Sequence, residues 1–399
     1  MTSSTACVAR AAVSIRKSRN LWAACLAHGL HDGYTDALYA LLPVWQTQFG
    51  LSYAGLAALR ALYYATMGGL QIPLDRLLRG LSPAAALSLS TLLAAVGYLV
   101  LALPGGFAGL CVGLVVAGVG SSIQHPRGSL LVSQTYGEQA RGPLGIYNFS
   151  GDLGKATLPA LVALLLPRLA WRPVAALLAA LGLLLALILL KLAPRKNQVT
   201  QAEAPRQSEG KGGSGFALLA TIGAFDTATR MGYLLFLPFM IQNRGGTSAT
   251  VGLALGLLFL GGALGKATCN WLSERLGVVG SVIATEGATA LLILATLFTP
   301  LNATLMLLPL LGIVLNGTSS VLYGTVPELA PAGDTGQAFA VFYTCVVGSG
   351  GLAPIFYGAL ADHTSQTAGI VSAAATAALI ILMVLMLRPH LVASEEDCK

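Results

Sequence analysis

The sequence predicts an all-α membrane protein of twelve transmembrane helices arranged as two six-helix halves. Of its 399 residues, 55% are hydrophobic and only 10% charged, whereas a soluble domain carries about 25% charged residues; the mean hydropathy is +0.74. Twelve continuous apolar runs recur along the chain, each near the ~20 residues that a helix needs to cross a ~30 Å hydrocarbon core. One long hydrophilic break, 193–215, divides those runs into six and six. This composition excludes a soluble enzyme, a disordered chain and a coiled coil. A β-barrel is excluded as well, because its strands would alternate apolar and polar residues.

The first six runs lie at about 21–43, 54–74, 83–103, 107–130, 143–166 and 171–192. The second six lie at about 216–241, 248–271, 280–300, 303–326, 337–360 and 366–388. Segment 1–20 is a basic lead-in; the run after it carries His28, His31, Asp32 and Asp36, so it reads as a first span and not as a cleaved signal peptide. The plan is therefore an N-terminal segment 1–20, a first half 21–192, a linker 193–215, a second half 216–388 and a tail 389–399. The linker mixes Lys196, Glu203, Arg206, Glu209 and Lys211 with a Gly/Ser run, the composition of a flexible tether.

Orientation follows the Lys and Arg of short loops. Fifteen of them, from Arg10 to Lys399, fall on the side that holds both termini, against Arg168, Arg172 and Arg244 on the other. Both termini are expected in the cytoplasm and the chain in the cell inner (plasma) membrane. The formal net charge of +7 sits at helix ends and not in one stripe, so no nucleic acid is expected. Cysteines number six without a CxxC spacing and read as small buried residues.

The halves echo one another, as transporter repeats do. Asp32 then Pro43 in helix one parallels Asp226 then Pro238 in helix seven; Asp75-Arg76 after helix two parallels Glu274-Arg275 after helix eight. Leu-Gly-Lys-Ala-Thr occurs at 153–157 and again at 264–268, and its small residues suit close helix packing.

Ionisable residues inside a bilayer cost roughly 2.5–3.5 kcal/mol each on insertion scales, so they face the bundle interior or water. Helix one has His28, His31, Asp32 and Asp36, helix two Arg60, and helix four His125 and Arg127. Helix five has Asp152 and Lys155, helix seven Asp226 and Arg230, and helix eight Lys266. Helices three and twelve have none, helix six only Lys191 at its end, and helix nine only Glu286 near its start. Every third helix is thus a candidate for the lipid face, and the others line something polar.

His28, Asp32 and Asp36 are spaced four apart and share a helix face, with His31 at its border. Carboxylates and imidazoles on one buried stripe fit proton coupling; a static ion-pair network that only fixes packing is the competing reading. Asp152 with Lys155, and Asp226 with Arg230, can each pair within a helix or meet a substrate. Arg127 and Lys266 have no acid within one turn and point to a carboxylate on another helix or to an anionic substrate. GxxxxGK[ST], HExxH and GxSxG patterns are absent, so no enzyme, metal site or cofactor is expected.

The chain resembles the major facilitator superfamily. That family's loop motif between helices two and three matches Gln71-Ile72-Pro73-Leu74-Asp75-Arg76-Leu77-Leu78-Arg79 at its central Asp-Arg, with a second copy at Glu274-Arg275-Leu276-Gly277. The helix-five antiporter pattern is half matched, by Gly145, Gly154 and Pro159. Within the family the chain is similar to the fosmidomycin-resistance branch. The matching elements are His28-x2-His31-Asp32 with Pro43-x-Trp-Gln-Thr-Gln-Phe-Gly-Leu, Gly120-Ser-Ser-Ile-Gln-His125-Pro126, and Gly358-Ala-Leu-Ala-Asp362-His363-Thr364-Ser365. It departs from that branch at Arg127 in place of a glutamate, His31 in place of an asparagine and Asp152 in place of an asparagine.

The resemblance implies a monomeric, proton-coupled secondary transporter that works by alternating access, exporting a small polar or anionic compound. Its partners would be that solute, protons and the lipid bilayer. On this reading His28, His31, Asp32 and Asp36 handle protons. His125, Arg127, Asp152, Lys155, Asp226, Arg230 and Lys266 surround the substrate, and Asp75, Arg76, Glu274, Arg275, Gly154 and Pro159 serve gating. Uptake of an organic anion by proton symport, and a non-transporting sensor or scaffold, remain as alternatives.

Overall fold

A computed structural model describes residues 3–192, 213–330 and 335–396. Among the described residues all regular structure is helical, with no strand. The first-half helices are α1 (Ser3–Phe49), α2 (Tyr53–Gly69), α3 (Gln71–Leu77), α4 (Pro83–Ala102), α5 (Gly106–Tyr136), α6 (Arg141–Leu165) and α7 (Trp171–Leu192). The second-half helices are α8 (Ser214–Asn243), α9 (Ser248–Phe298), α10 (Leu301–Leu329), α11 (Thr335–His363) and α12 (Gln366–Glu396). The twelve spans are all present. Three depart from the expected boundaries.

The second span stops at Gly69 and restarts as the short α3, with Pro73 in its first turn. Proline has no N–H for the residue four back and its ring clashes there, so a helix that the apolar run would carry to 74 breaks ahead of it. Spans eight and nine, expected as separate helices, join as α9 and are divided only at Gly277, whose φ is 68°. That left-handed conformation is one that glycine adopts without steric penalty. Elsewhere the ends follow ordinary capping. Ser82 accepts from Ala85 N ahead of Pro83, and Thr247 and Thr250 form a reciprocal capping box.

Eight described segments are long and apolar enough to cross a membrane, on α4, α5, α7, α9 (twice), α10, α11 and α12. The other four spans, α1, α2, α6 and α8, carry most of the buried charge, and α2 is only 17 residues long. Apolar side chains point outward on the charge-poor helices: Leu184, Leu187 and Leu190 on α7 and Leu382 and Met386 on α12 are all exposed, as a lipid-facing surface requires.

The chain forms two compact units. Among the described residues, unit 1 comprises 3–37, 65–158 and 168–192, and unit 2 comprises 38–64, 159–167, 213–330 and 335–396. In unit 1, Gly97 and Gly120 bring α4 against the backbone of α5, and Gly154 of α6 meets the backbone of Gly29 in α1. In unit 2, Gly261 and Gly265 of α9 face the carbonyls of Pro309 and Ile313 in α10. A Cβ at any of these would strike backbone. Both copies of Leu-Gly-Lys-Ala-Thr therefore place their glycine at a close helix crossing, the use of small residues expected where helices pack within a membrane.

Candidate functional site

In unit 1, three helices converge on one carboxylate. Helix α1 supplies His28 and Asp32 one turn apart, α5 supplies His125, and α6 supplies Asp152 and Lys155. The Lys155 ammonium lies 3.1 Å from Asp32 Oδ2 and 3.8 Å from Asp152 Oδ1. Nε2 of His28 lies 3.3 Å from Asp32 Oδ2, and Nε2 of His125 lies 3.7 Å from Asp32 Oδ1. Asp32 is buried, whereas the His125 and Lys155 side chains are 25% and 32% exposed, so the cluster is reachable from their side.

The backbone explains why these groups meet. Gly151 of α6 sits where a Cβ would collide with Asp32 Oδ2 and the His28 ring; only glycine lets α6 approach. Tyr147, one turn earlier, stacks on His28 at 4.0 Å between ring centroids, and its carbonyl accepts from His28 Nδ1 at 2.8 Å. A carbonyl can only accept, so Nδ1 carries the hydrogen and Nε2 is the nitrogen turned to Asp32. The donor atoms of His28, Asp32 and His125 lie within 4.8 Å of one another, a spacing that a metal ion could bridge. A cation there would have to displace the Lys155 ammonium from Asp32.

His31 points elsewhere. Ser90 and Thr91 on α4 already donate to Gly120 O and Leu87 O, so both hydroxyls accept from His31 Nε2, each at 3.3 Å. Its Nδ1 meets Ser121 Oγ at 3.0 Å. The ring thereby bolts α1 between α4 and α5. Asp36 is buried one turn beyond Asp32.

Arg127, which the sequence groups with substrate, is joined to the loop motif. Its Nε is 2.9 Å from Asp75 Oδ1 and its Nη2 donates to Asp75 O at 2.6 Å. The partner carboxylate expected on another helix is therefore Asp75, the acid of the Asp-Arg pair. Arg76, Glu274 and Arg275 are exposed, with the Arg275 guanidinium 4.8 Å from the centre of the Trp271 ring. Gly154 makes the crossing with α1 already described, and Pro159 lies inside α6.

Unit 2 holds a separate buried group. Asp226 and Arg230 are one turn apart on α8, and Lys266 is half-buried on α9. The Asp226 carboxyl contacts that of Glu286, a residue that sequence reasoning left at a helix border because it lies early in its apolar run. Its signal was there: an acid flanked by Thr285 and, one turn later, Thr289 inside a predominantly apolar run. Sequence reasoning also gave Arg60 no partner. Its guanidinium lies 3.5 Å from the centre of the Tyr39 ring, a cation–π contact of the kind that becomes stronger away from water.

Comparison with known proteins fits this architecture. The sequence model of the Major Facilitator Superfamily matches residues 24–221 and 219–397. The chain is similar to the fosmidomycin resistance protein of Escherichia coli (strain K12), 25% identical over 376 residues, covering 90% of this chain and 91% of that protein. Among solved structures it is similar to a bacterial homolog of the human lysosomal transporter Spinster in an inward-facing, unoccupied conformation. That match has a TM-score of 0.71 at 17% identity and covers 95% of this chain and 97% of the other. It is also similar to a POT family transporter in complex with a thioalcohol-conjugated peptide, with a TM-score of 0.75 at 15% identity over 94% and 96% of the two chains. At these identities the structures speak to the fold.

Proposed function

We propose that this chain, which belongs to the Major Facilitator Superfamily and is a multi-pass membrane transporter, exports a small polar or anionic compound in exchange for protons. The observation that carries the reading is Asp32, a buried carboxylate bonded from three helices to one ammonium and two imidazoles. With Nδ1 of His28 donating to Tyr147, the His28 Nε2 to Asp32 contact needs a hydrogen between its two atoms, because an unprotonated nitrogen and an ionised oxygen are both acceptors. Asp32 therefore shares a proton with His28 while Lys155 offsets its charge. An anionic solute arriving at Lys155 would compete with Asp32 for that ammonium, and Asp32, deprived of its counter-charge, would hold a proton more tightly, so solute binding and the protonation of Asp32 are linked. Linkage between solute binding and the protonation of one buried carboxylate is the elementary requirement of proton coupling; the direction, antiport, is taken from the resistance-type relative.

Export is supported by the similarity to a protein named for fosmidomycin resistance. In this reading the halves 21–192 and 216–388 rock about the site, the 193–215 linker and both termini face the cytoplasm, the membrane is the inner one, and the transporter acts as a monomer. Asp75 and Arg127 would hold one gate state together. The test is expression in a fosmidomycin-sensitive strain and export of fosmidomycin from inverted vesicles carrying an imposed pH gradient. Wild type should confer resistance and respond to the gradient, and Asp32→Asn should do neither. Equal resistance and equal gradient response in the variant would overturn the assignment of Asp32; a wild type without export of fosmidomycin would overturn that compound as substrate.

A further inference from the structure

Asp226 on α8 and Glu286 on α9 are 3% and 1% exposed, and their carboxyl groups lie within hydrogen-bonding reach of each other. Two ionised carboxylates are acceptors only and repel, so a contact between them calls for a hydrogen. The accounting of neighbours agrees: Asp226 Oδ2 and Glu286 Oε1 are buried without any donor to accept from, and one proton between the groups supplies it. The surroundings are few and defined. Thr318 on α10, fully buried, donates to Thr285 Oγ1 at 2.9 Å, on the residue next to Glu286. Arg230 on α8 is the near cation, but its Nη2 donates to Thr227 Oγ1 at 3.4 Å and its Nε has no partner. Cys269, buried on the preceding span of α9, lies near both acids, and Lys266 precedes it by one turn. With one shared proton, the single remaining negative charge balances Arg230. A group so balanced can be loaded or emptied by one proton at a time.

We propose that Asp226 and Glu286 form a proton-sharing carboxyl dyad, a second proton-carrying site that lies in unit 2 and is independent of Asp32. Its role in transport rests on the proton-coupled reading above, whereas the dyad itself does not. The step involves no covalent change beyond the O–H bond: the shared proton leaves to water, and both carboxylates then stand ionised beside Arg230 until one is reloaded.

Infrared difference spectroscopy on the purified full-length protein, without substrate, reads the dyad directly. At neutral pH the wild type should show a protonated-carboxyl C=O stretch. Glu286→Gln and Asp226→Asn should each remove it, and Asp32→Asn should retain this component. A band that survives both unit 2 substitutions would overturn the dyad, and a band removed by sodium chloride, with potassium chloride as control, would assign the site to an alkali cation. In vesicles, Glu286→Gln should lose gradient-driven export of fosmidomycin yet keep equilibrium exchange of labelled fosmidomycin, which also verifies that the variant is folded. If the band obeys the first test but gradient-driven export is unchanged, the proton is static and the carrying role falls, whatever the outcome for Asp32.

Discussion

The Asp32–Lys155 pair lends itself to a double-mutant cycle. At 3.1 Å, two unit charges attract by roughly 5 kcal/mol at an effective dielectric of about 20 and by roughly 1 kcal/mol in bulk water. Asp32 is buried, but Lys155 is about a third exposed and has Asp152 as a second, longer partner at 3.8 Å. Screening at the exposed end therefore places the coupling near the lower part of that range, about 2 kcal/mol. Asp32→Asn alone leaves Lys155 with Asp152; Lys155→Met alone leaves Asp32 with two imidazoles. Each single change should destabilise the protein, and the double variant should be less destabilised than the sum by about 2 kcal/mol. The assay is reversible denaturant unfolding of the detergent-solubilised protein, followed by tryptophan fluorescence. Distant, independent sites add within about 0.3–0.5 kcal/mol. Additivity of that quality would refute a direct bond between these two side chains and remove the geometric basis for ligand exchange at Asp32.

Close helix crossings give a second expectation with a built-in sign change. Gly154→Ala and Gly265→Ala push a Cβ into facing backbone and should each destabilise by about 1–3 kcal/mol, whereas Gly145→Ala, with nothing within 4 Å, should be neutral or slightly stabilising; thermal-shift curves that rank the three alike would contradict the packing. Asp362 accepts from Tyr53 N at 2.8 Å and Ala54 N at 2.9 Å, capping the first turn of α2. Asp362→Ala should therefore cost about 0.5–2 kcal/mol, and faster hydrogen exchange confined to the start of α2 is the signature to look for.

Part of the site was legible because its chemistry is local. His28 and Asp32 share a face by helical spacing alone, and Asp152 with Lys155 by the same rule. His31 was not separable from them, because one residue along a helix turns the side chain by about a quarter of the circumference and only the neighbours α4 and α5 decide what it meets. Arg127 and Asp75 stand 52 residues apart, and no spacing in the chain connects them. Glu286 was overlooked for the same reason: an acid early in an apolar run reads as a border residue until the helix opposite presents Asp226.

The sequence by itself determined that the chain crosses a membrane twelve times, that its halves repeat, and which helices carry charge. Those properties follow from the cost of placing polar groups in hydrocarbon, which acts on each run of ~20 residues separately. What only the tertiary structure decided is the pairing: Lys155 on Asp32, Arg127 on Asp75, His31 among hydroxyls and Glu286 on Asp226. A buried charge must find a partner, but which one it finds depends on which helices pack together. That packing is set by glycines such as Gly151 and Gly154, whose missing side chains leave no pattern until the facing backbone is in place.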